Sequence, residues 1–157
     1  QRQMCIRDSI LLAVPENHPV NQKTAYAALT AQYIIDGKHL DPTCPSAPLS
    51  LFSDLEFILL TPGNNLHDRA IQIFQEAGFH PNIKLRLSQL ATAYHLAADG
   101  FAATLVSDRL IHTPNVPLRF YQLNSQLADR MFYVLLPNRN YTSFAVKRFI
   151  QYLLLHL

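Results

Sequence analysis

The sequence predicts an α/β fold, and three observations predict it. Short apolar runs at residues 10–14, 57–60 and 103–106 have the length and continuity of strands buried on both faces. Between and after them lie segments with apolar positions at three- and four-residue spacing, notably 66–77 and 89–99, each closed by a glycine, Gly78 and Gly100. The two kinds of segment alternate, which indicates βαβ units and a mainly parallel sheet covered on both faces. With 157 residues, 49% hydrophobic and 15% charged, the chain has the composition of one globular unit with a real core.

Taken in order, residues 10–14 form a buried strand stopped by Pro15, and His18-Pro19 is its exit turn. Residues 24–36 carry Ala, Leu, Tyr and Ile at helical spacing up to Gly37 and predict one helix. Residues 38–48 hold three prolines and read as an irregular loop, and 49–55 as a short helical turn. After the strand 57–60, residues 61–65 read TPGNN, a turn that sets an Asn at the N-cap of the helix with Leu66, Ala70, Ile73, Phe74 and Ala77 on one face. Residues 82–87 alternate Ile83, Leu85 and Leu87 with Lys84 and Arg86, a strand with one buried face. Ser88 is placed to cap the helix 89–99, whose face is Leu90, Ala93, Tyr94 and Ala97. A strand at 103–106, a helical turn at 107–111 and strands at 118–123 and 131–136 follow. A last helix, capped by Thr142 or Ser143, is expected to turn Ala145, Val146, Phe149 and Leu153 inward.

The opening residues 1–9, QRQMCIRDS, show no periodicity leading into the first strand. Residues 1–8 are what the codons CAG CGT CAG ATG TGT ATA AGA GAC encode, the end of a transposase adapter used in sequencing libraries. We therefore expect 1–9 to be a non-native segment to be set aside in fold reasoning. Cys5 falls inside it, which leaves Cys44 as the one native cysteine expected. A single thiol fits a reducing cytoplasm.

Charge and motifs narrow the function. The 13 basic and 11 acidic residues are spread along the chain, without the clustered basic face of a nucleic-acid-binding domain. The longest apolar stretch, 152–157, is far short of the roughly 20 residues that cross a bilayer, so no membrane association is expected. The seven histidines, His18, His39, His67, His80, His95, His112 and His156, show no paired ligand spacing, and no metal or cofactor is expected. With four glycines there is no GxSxG, GxGxxG or GxxxxGK pattern, and no nucleophile has a base in a foreseeable place. Arg69, Arg109, Arg119 and Arg130 read as solvated or interface charges.

In α/β sheets ligands sit in the crevice at the carboxyl ends of the strands, often on backbone N–H groups that open a helix. Here those ends hold Thr61, Gly63 and Asn64; Ser88 and Gln89; and Val106 and Ser107. Each has two readings: a turn, cap or strand end, or a ligand contact.

Three segments carry a family resemblance: LLAVPENHP at 11–19, DLEFILLTPGNNLHDRAIQIFQEAGFHPNIKL at 54–85, and LATAYHLAADGFAATLVSDRL at 90–110. In this order and spacing they resemble the effector-binding domain of LysR-type transcriptional regulators, and the terminal helix after Tyr141 also matches. The resemblance implies a fold like the periplasmic type-2 binding proteins, two α/β subdomains joined by crossing strands with an effector held between them. It implies that 17–136 is one near-complete subdomain, the second, and that 10–16 and 137–157 are the crossing strands and terminal helix of an incomplete first. The winged helix-turn-helix, and with it direct DNA binding, would belong to a missing N-terminal domain.

The function expected from this resemblance is a cytoplasmic effector sensor without catalysis, with a small-molecule partner and a homodimer or homotetramer in the intact protein. Two rivals share the bilobal architecture. One is a periplasmic solute-binding protein, favoured by a secretion signal on the intact gene. The other is a small α/β enzyme such as a dehydratase, which would need demonstrable turnover.

Overall fold

The structure, a computed structural model, describes residues 2–135 and 143–156. Its first strand, β1 (Arg2–Pro15), is followed by a single helical turn α1 (Val20–Lys23), a short helix α2 (Ala31–Ile35) and the two-residue strand β2 (Ser46–Ala47). Then come the regular units β3 (Glu56–Leu60), α3 (Asn65–Glu76), β4 (Asn82–Leu87), α4 (Leu90–Ala98) and β5 (Ala103–Ser107). Strands β6 (Leu118–Leu123) and β7 (Asp129–Leu135) and helix α5 (Phe144–His156) complete the described chain. Short 3-10 turns fill several connections, among them Lys38–Leu40, Leu49–Phe52 and Asp108–Leu110.

The strands form one sheet in the order β2-β6-β1-β5-β3-β4, with β7 paired to the first half of β1. The strands linked by helices obey the alternation rule, for β3 runs parallel to both β4 and β5. β1 does not. It precedes the first helical crossover and lies antiparallel to β5, β6 and β7. The fold is α/β as expected, but the sheet is mixed where the pattern alone indicated a mainly parallel one.

Both faces of the sheet are covered, which is why the run at 10–14 is apolar without alternation. Ile10, Leu12 and Val14 join α3 and its neighbours Phe57, Phe74 and Tyr121 on one side. Leu11 and Ala13 join Ile34, Tyr94, Ala97 and Phe120 on the other. Phe74 meets Phe57 and Phe79 edge to face at 4.9 and 5.4 Å, the arrangement ring quadrupoles favour.

Three expectations change. The helix foreseen over 24–36 is broken: a 3-10 turn at Ala25–Ala27 gives way to extended chain, and α2 begins only at Ala31, capped by Thr30. The cause is tertiary, because Leu29 exchanges both backbone hydrogen bonds with Phe120 at 2.8 and 2.9 Å and becomes an extra rung on β6. Residues 2–9, which show no strand periodicity, pair as strand with β7 from Asp129 to Leu135, with a register shift between Met4 and Ile6; this pairing does not bear on whether the segment is native. On α5, Ile150 is the only buried residue among those whose burial is described, and Val146 and Phe149 are 39% and 62% exposed; among the described residues β1 is the element that packs most against this helix. Ser143 does cap α5, accepting from the Val146 N–H at 3.4 Å, while Thr142 and Leu136 lie outside the described residues.

Candidate ligand-binding site

Parallel neighbours end together, so the last residues of β3, β4 and β5 share one edge of the sheet. Thr61 N–H donates to the Leu87 carbonyl at 2.9 Å, which ties the first two tips. Antiparallel β1 then sets Ile10 beside Ser107, and β6 sets Gln122 beside Leu11. The edge thus collects Thr61, Gly63, Asn64, Ser88, Gln89, Val106 and Ser107.

Their surroundings differ. Gly63 has φ +90°, a left-handed conformation that a side chain would strain, and it turns the chain so that Asn64 caps α3 by accepting from the Leu66 N–H at 2.9 Å. Thr61, Gly63, Ser88 and Gln89 are exposed along this edge. Ser88 does not cap α4; Gln89 takes the N-cap position and makes no capping bond, so the opening N–H groups of that helix are left without a side-chain acceptor. Val106 is fully buried against the α4 side of the core. Ser107 is also buried, donating to Asp8 Oδ1 at 2.9 Å and accepting from the Arg109 N–H at 3.1 Å.

Sequence reasoning missed a polar recess farther along this edge, on the side of β1, β6 and β7. A recess of about 270 Å³ opens there, lined among others by Arg7, Ser9, His39, Asp41, Gln122 and Asp129. Asp129 accepts from Arg7 at 3.1 Å and from Ser9 Oγ at 3.3 Å, and Gln122 donates to the His39 carbonyl. Beneath it, Asp8 is almost fully buried and accepts from Ser107 and Arg130. Loss of water around the Asp8 carboxyl, together with the nearby Asp108 charge, holds its pKa above the usual carboxylate value, although Ser107 and Arg130 pull it down. Arg130 is therefore a half-buried ion-pair partner of Asp8, where the sequence suggested a solvated or interface charge. No local signal marks these residues, which come from positions about 120 apart and meet only through the β1–β7 and β1–β6 ladders.

The arrangement offers donors and acceptors to a small polar molecule. Among the described residues no serine or cysteine is hydrogen-bonded to a histidine, and no group of His, Cys, Asp or Glu is placed to hold a metal ion. Nor is any described helix long and apolar enough to cross a membrane.

A mixed α/β sheet with exposed helix starts and strand tips at one edge defines a ligand-binding module of the periplasmic-binding-protein type-2 kind. Solved structures of that kind match it closely in fold. The regulatory domain of CcmR from Synechocystis PCC6803, in complex with 2-PG, superposes with a TM-score of 0.70 at 15% identity over 99% of this chain and 65% of that one. The effector binding domain of QuiR in complex with shikimate gives 0.62 at 18%, over 98% and 63%. Full-length CbnR complexed with its target DNA gives 0.63 at 16%, over 98% and 46%. The chain thus spans about two thirds of such regulatory domains. No curated protein sequence matches it. The family model described as LysR substrate binding domain matches residues 38–157, and the chain belongs to that family.

Proposed function

We propose that the chain is the effector-sensing part of a LysR-type transcriptional regulator, one that grips a small metabolite without transforming it. The observation that carries this reading is the edge itself: the exposed tips of β3 and β4 and the uncapped start of α4 lie on the same edge of the sheet as a polar recess formed on the β1, β6 and β7 side, in a chain of this family. Backbone N–H groups at a helix start favour an anionic group on the ligand. The related domains hold 2-PG and shikimate, which makes small carboxylates and phosphates the first class to test.

On this reading residues 17–136 act as the second subdomain, and 10–16 with 137–157 belong to the first. Thr61, Gly63, Asn64, Ser88, Gln89, Val106 and Ser107 supply one wall of the effector cleft. The intact regulator is cytoplasmic, forms a homodimer or homotetramer, and contacts DNA through a separate N-terminal domain, as full-length CbnR is seen to be bound to DNA. An effector acts by binding two arrangements of the subdomains unequally, since only differential affinity shifts such an equilibrium.

The test is calorimetric titration of the protein with shikimate, 2-PG and a panel of small carboxylates. A saturable heat that Ser88→Ala weakens, with no change in melting temperature, supports the reading; Ser88 makes no capping bond, so its loss leaves stability alone. Binding by none of the panel, or binding indifferent to substitutions at Thr61, Ser88 and Gln89 together, defeats it.

A further inference from the structure

His39 lies on the 3-10 turn Lys38–Leu40, and the residues after it, Leu40, Asp41 and Pro42, form one wall of the recess of about 270 Å³. That wall is a chain of tight turns bonded to itself. Leu40 N–H donates to the Gly37 carbonyl at 3.1 Å, Asp41 N–H to that of Lys38 at 3.2 Å and Cys44 N–H to that of Asp41 at 2.9 Å. Local bonds of this kind fix the shape of a segment but not its place against the sheet.

His39 supplies the place. Its carbonyl accepts from Gln122 on β6, and its Nε2 lies 2.9 Å from Asp108 Oδ2, on the turn that follows the β5 tip at Ser107. An ionised carboxylate can only accept, so Nε2 donates. The two side chains come from positions 69 apart and are more than nine-tenths buried, 4% and 7% exposed. Yet His39 Nδ1 and Asp108 Oδ1 have no hydrogen-bond partner among the described residues. Two unpaired atoms offset part of what the shared bond contributes, and both regain water when the pair separates. The closed arrangement is thus finely balanced, one hydrogen bond set against the hydration of two polar atoms.

We propose that His39 and Asp108 form a clasp: they touch no ligand, and they position the Leu40–Pro42 wall of the recess by tying it to the tip of β5. The proposal rests on the reading of this edge as an effector site and adds a moving part to it. A ligand seated against Leu40 and Asp41 binds the shut clasp better than the open one, so occupancy of the recess is felt at Asp108, next to Ser107.

The experiment is amide hydrogen exchange followed by NMR on the parent protein and two variants, with histidine ring nitrogens labelled. His39→Gln keeps a donor for Asp108, whereas His39→Phe keeps a ring and loses the donor. Exchange at Leu40, Asp41 and Cys44 should rise about tenfold or more in His39→Phe, the worth of one hydrogen bond. It should stay close to the parent in His39→Gln, and Phe57 and Leu105 in the central strands should be unchanged in both. A packing role alone would spare the Phe variant, whose ring fills the same space. Should that variant fail to fold, the parent protein decides through the His39 ring, which must carry a proton on Nε2. Shikimate or 2-PG, whichever binds, should slow exchange at the same three amides. Exchange without ligand reads the clasp alone, so failure of both compounds to bind tells against the effector reading and not against the clasp. Equal exchange in the two variants, a His39 ring protonated on Nδ1 alone, or a bound ligand that leaves the three amides unchanged would overturn the proposal.

Discussion

The stretch from β3 to β5 and the arm made of the first half of β1, β7 and α5 are built from similarly apolar sequence, yet they end up in opposite conditions. In the first, Phe57, Ile58, Phe74, Ala93, Ala97 and Ala103 are buried, and each helix lies on the strands it connects. In the second, Phe132, Leu135, Phe144, Phe149 and Leu155 stand 45% exposed or more. Apolar periodicity declares which face of an element needs a cover; it does not supply the cover. The β3–β5 stretch carries its cover in the next element along the chain, whereas among the described residues the arm packs chiefly β1 against β7 and α5 against β1.

The contrast is sharpest where a large core ring is removed. Phe74→Ala should destabilise the protein by about 3–5 kcal/mol, because the ring packs against both Phe57 and Phe79, and chemical denaturation measures it. A loss no greater than that of an arm residue would break the comparison. A smaller effect, of opposite sign, is expected at Tyr94, whose buried hydroxyl has no partner among the described residues. Tyr94→Phe removes that defect and should stabilise by on the order of 1 kcal/mol. Burial also raises the Tyr94 pKa above 10.0, so above that pH the unfolded phenol ionises before the folded one and stability drains away. The advantage of the Phe variant should therefore grow as pH rises past 10.0, visible in melting curves across that range. The smallest change is expected on the arm. Phe149→Ser at its exposed site should move stability by no more than about 0.5 kcal/mol while reducing self-association measured by light scattering; a large destabilisation would show that α5 is covered after all.

The same comparison explains what could be read in advance. The strands at 10–14, 57–60, 82–87 and 103–106 and the helices ending at Gly78 and Gly100 were legible because their partners are near in sequence and their periodicity reports one environment. The Asn64 cap was legible because capping is local. The break at Leu29 was not, for its competing hydrogen bonds come from Phe120, about 90 residues away. Nor was the length of β1, which depends on β7, or the absence of a Ser88 cap, which depends on the helix starting one residue later than expected. At the candidate site, strand tips could be named from the alternation rule, but Arg7, His39, Gln122 and Asp129 could not, because only the assembled sheet brings them to the same recess.

One consequence follows from the continuity of β1. Its first half is laddered to β7 and its second half to β5 and β6, with no loop between Ser9 and Ile10. One covalent backbone thus passes from the β7 ladder to the tip of β5, where Asp8 accepts from Ser107.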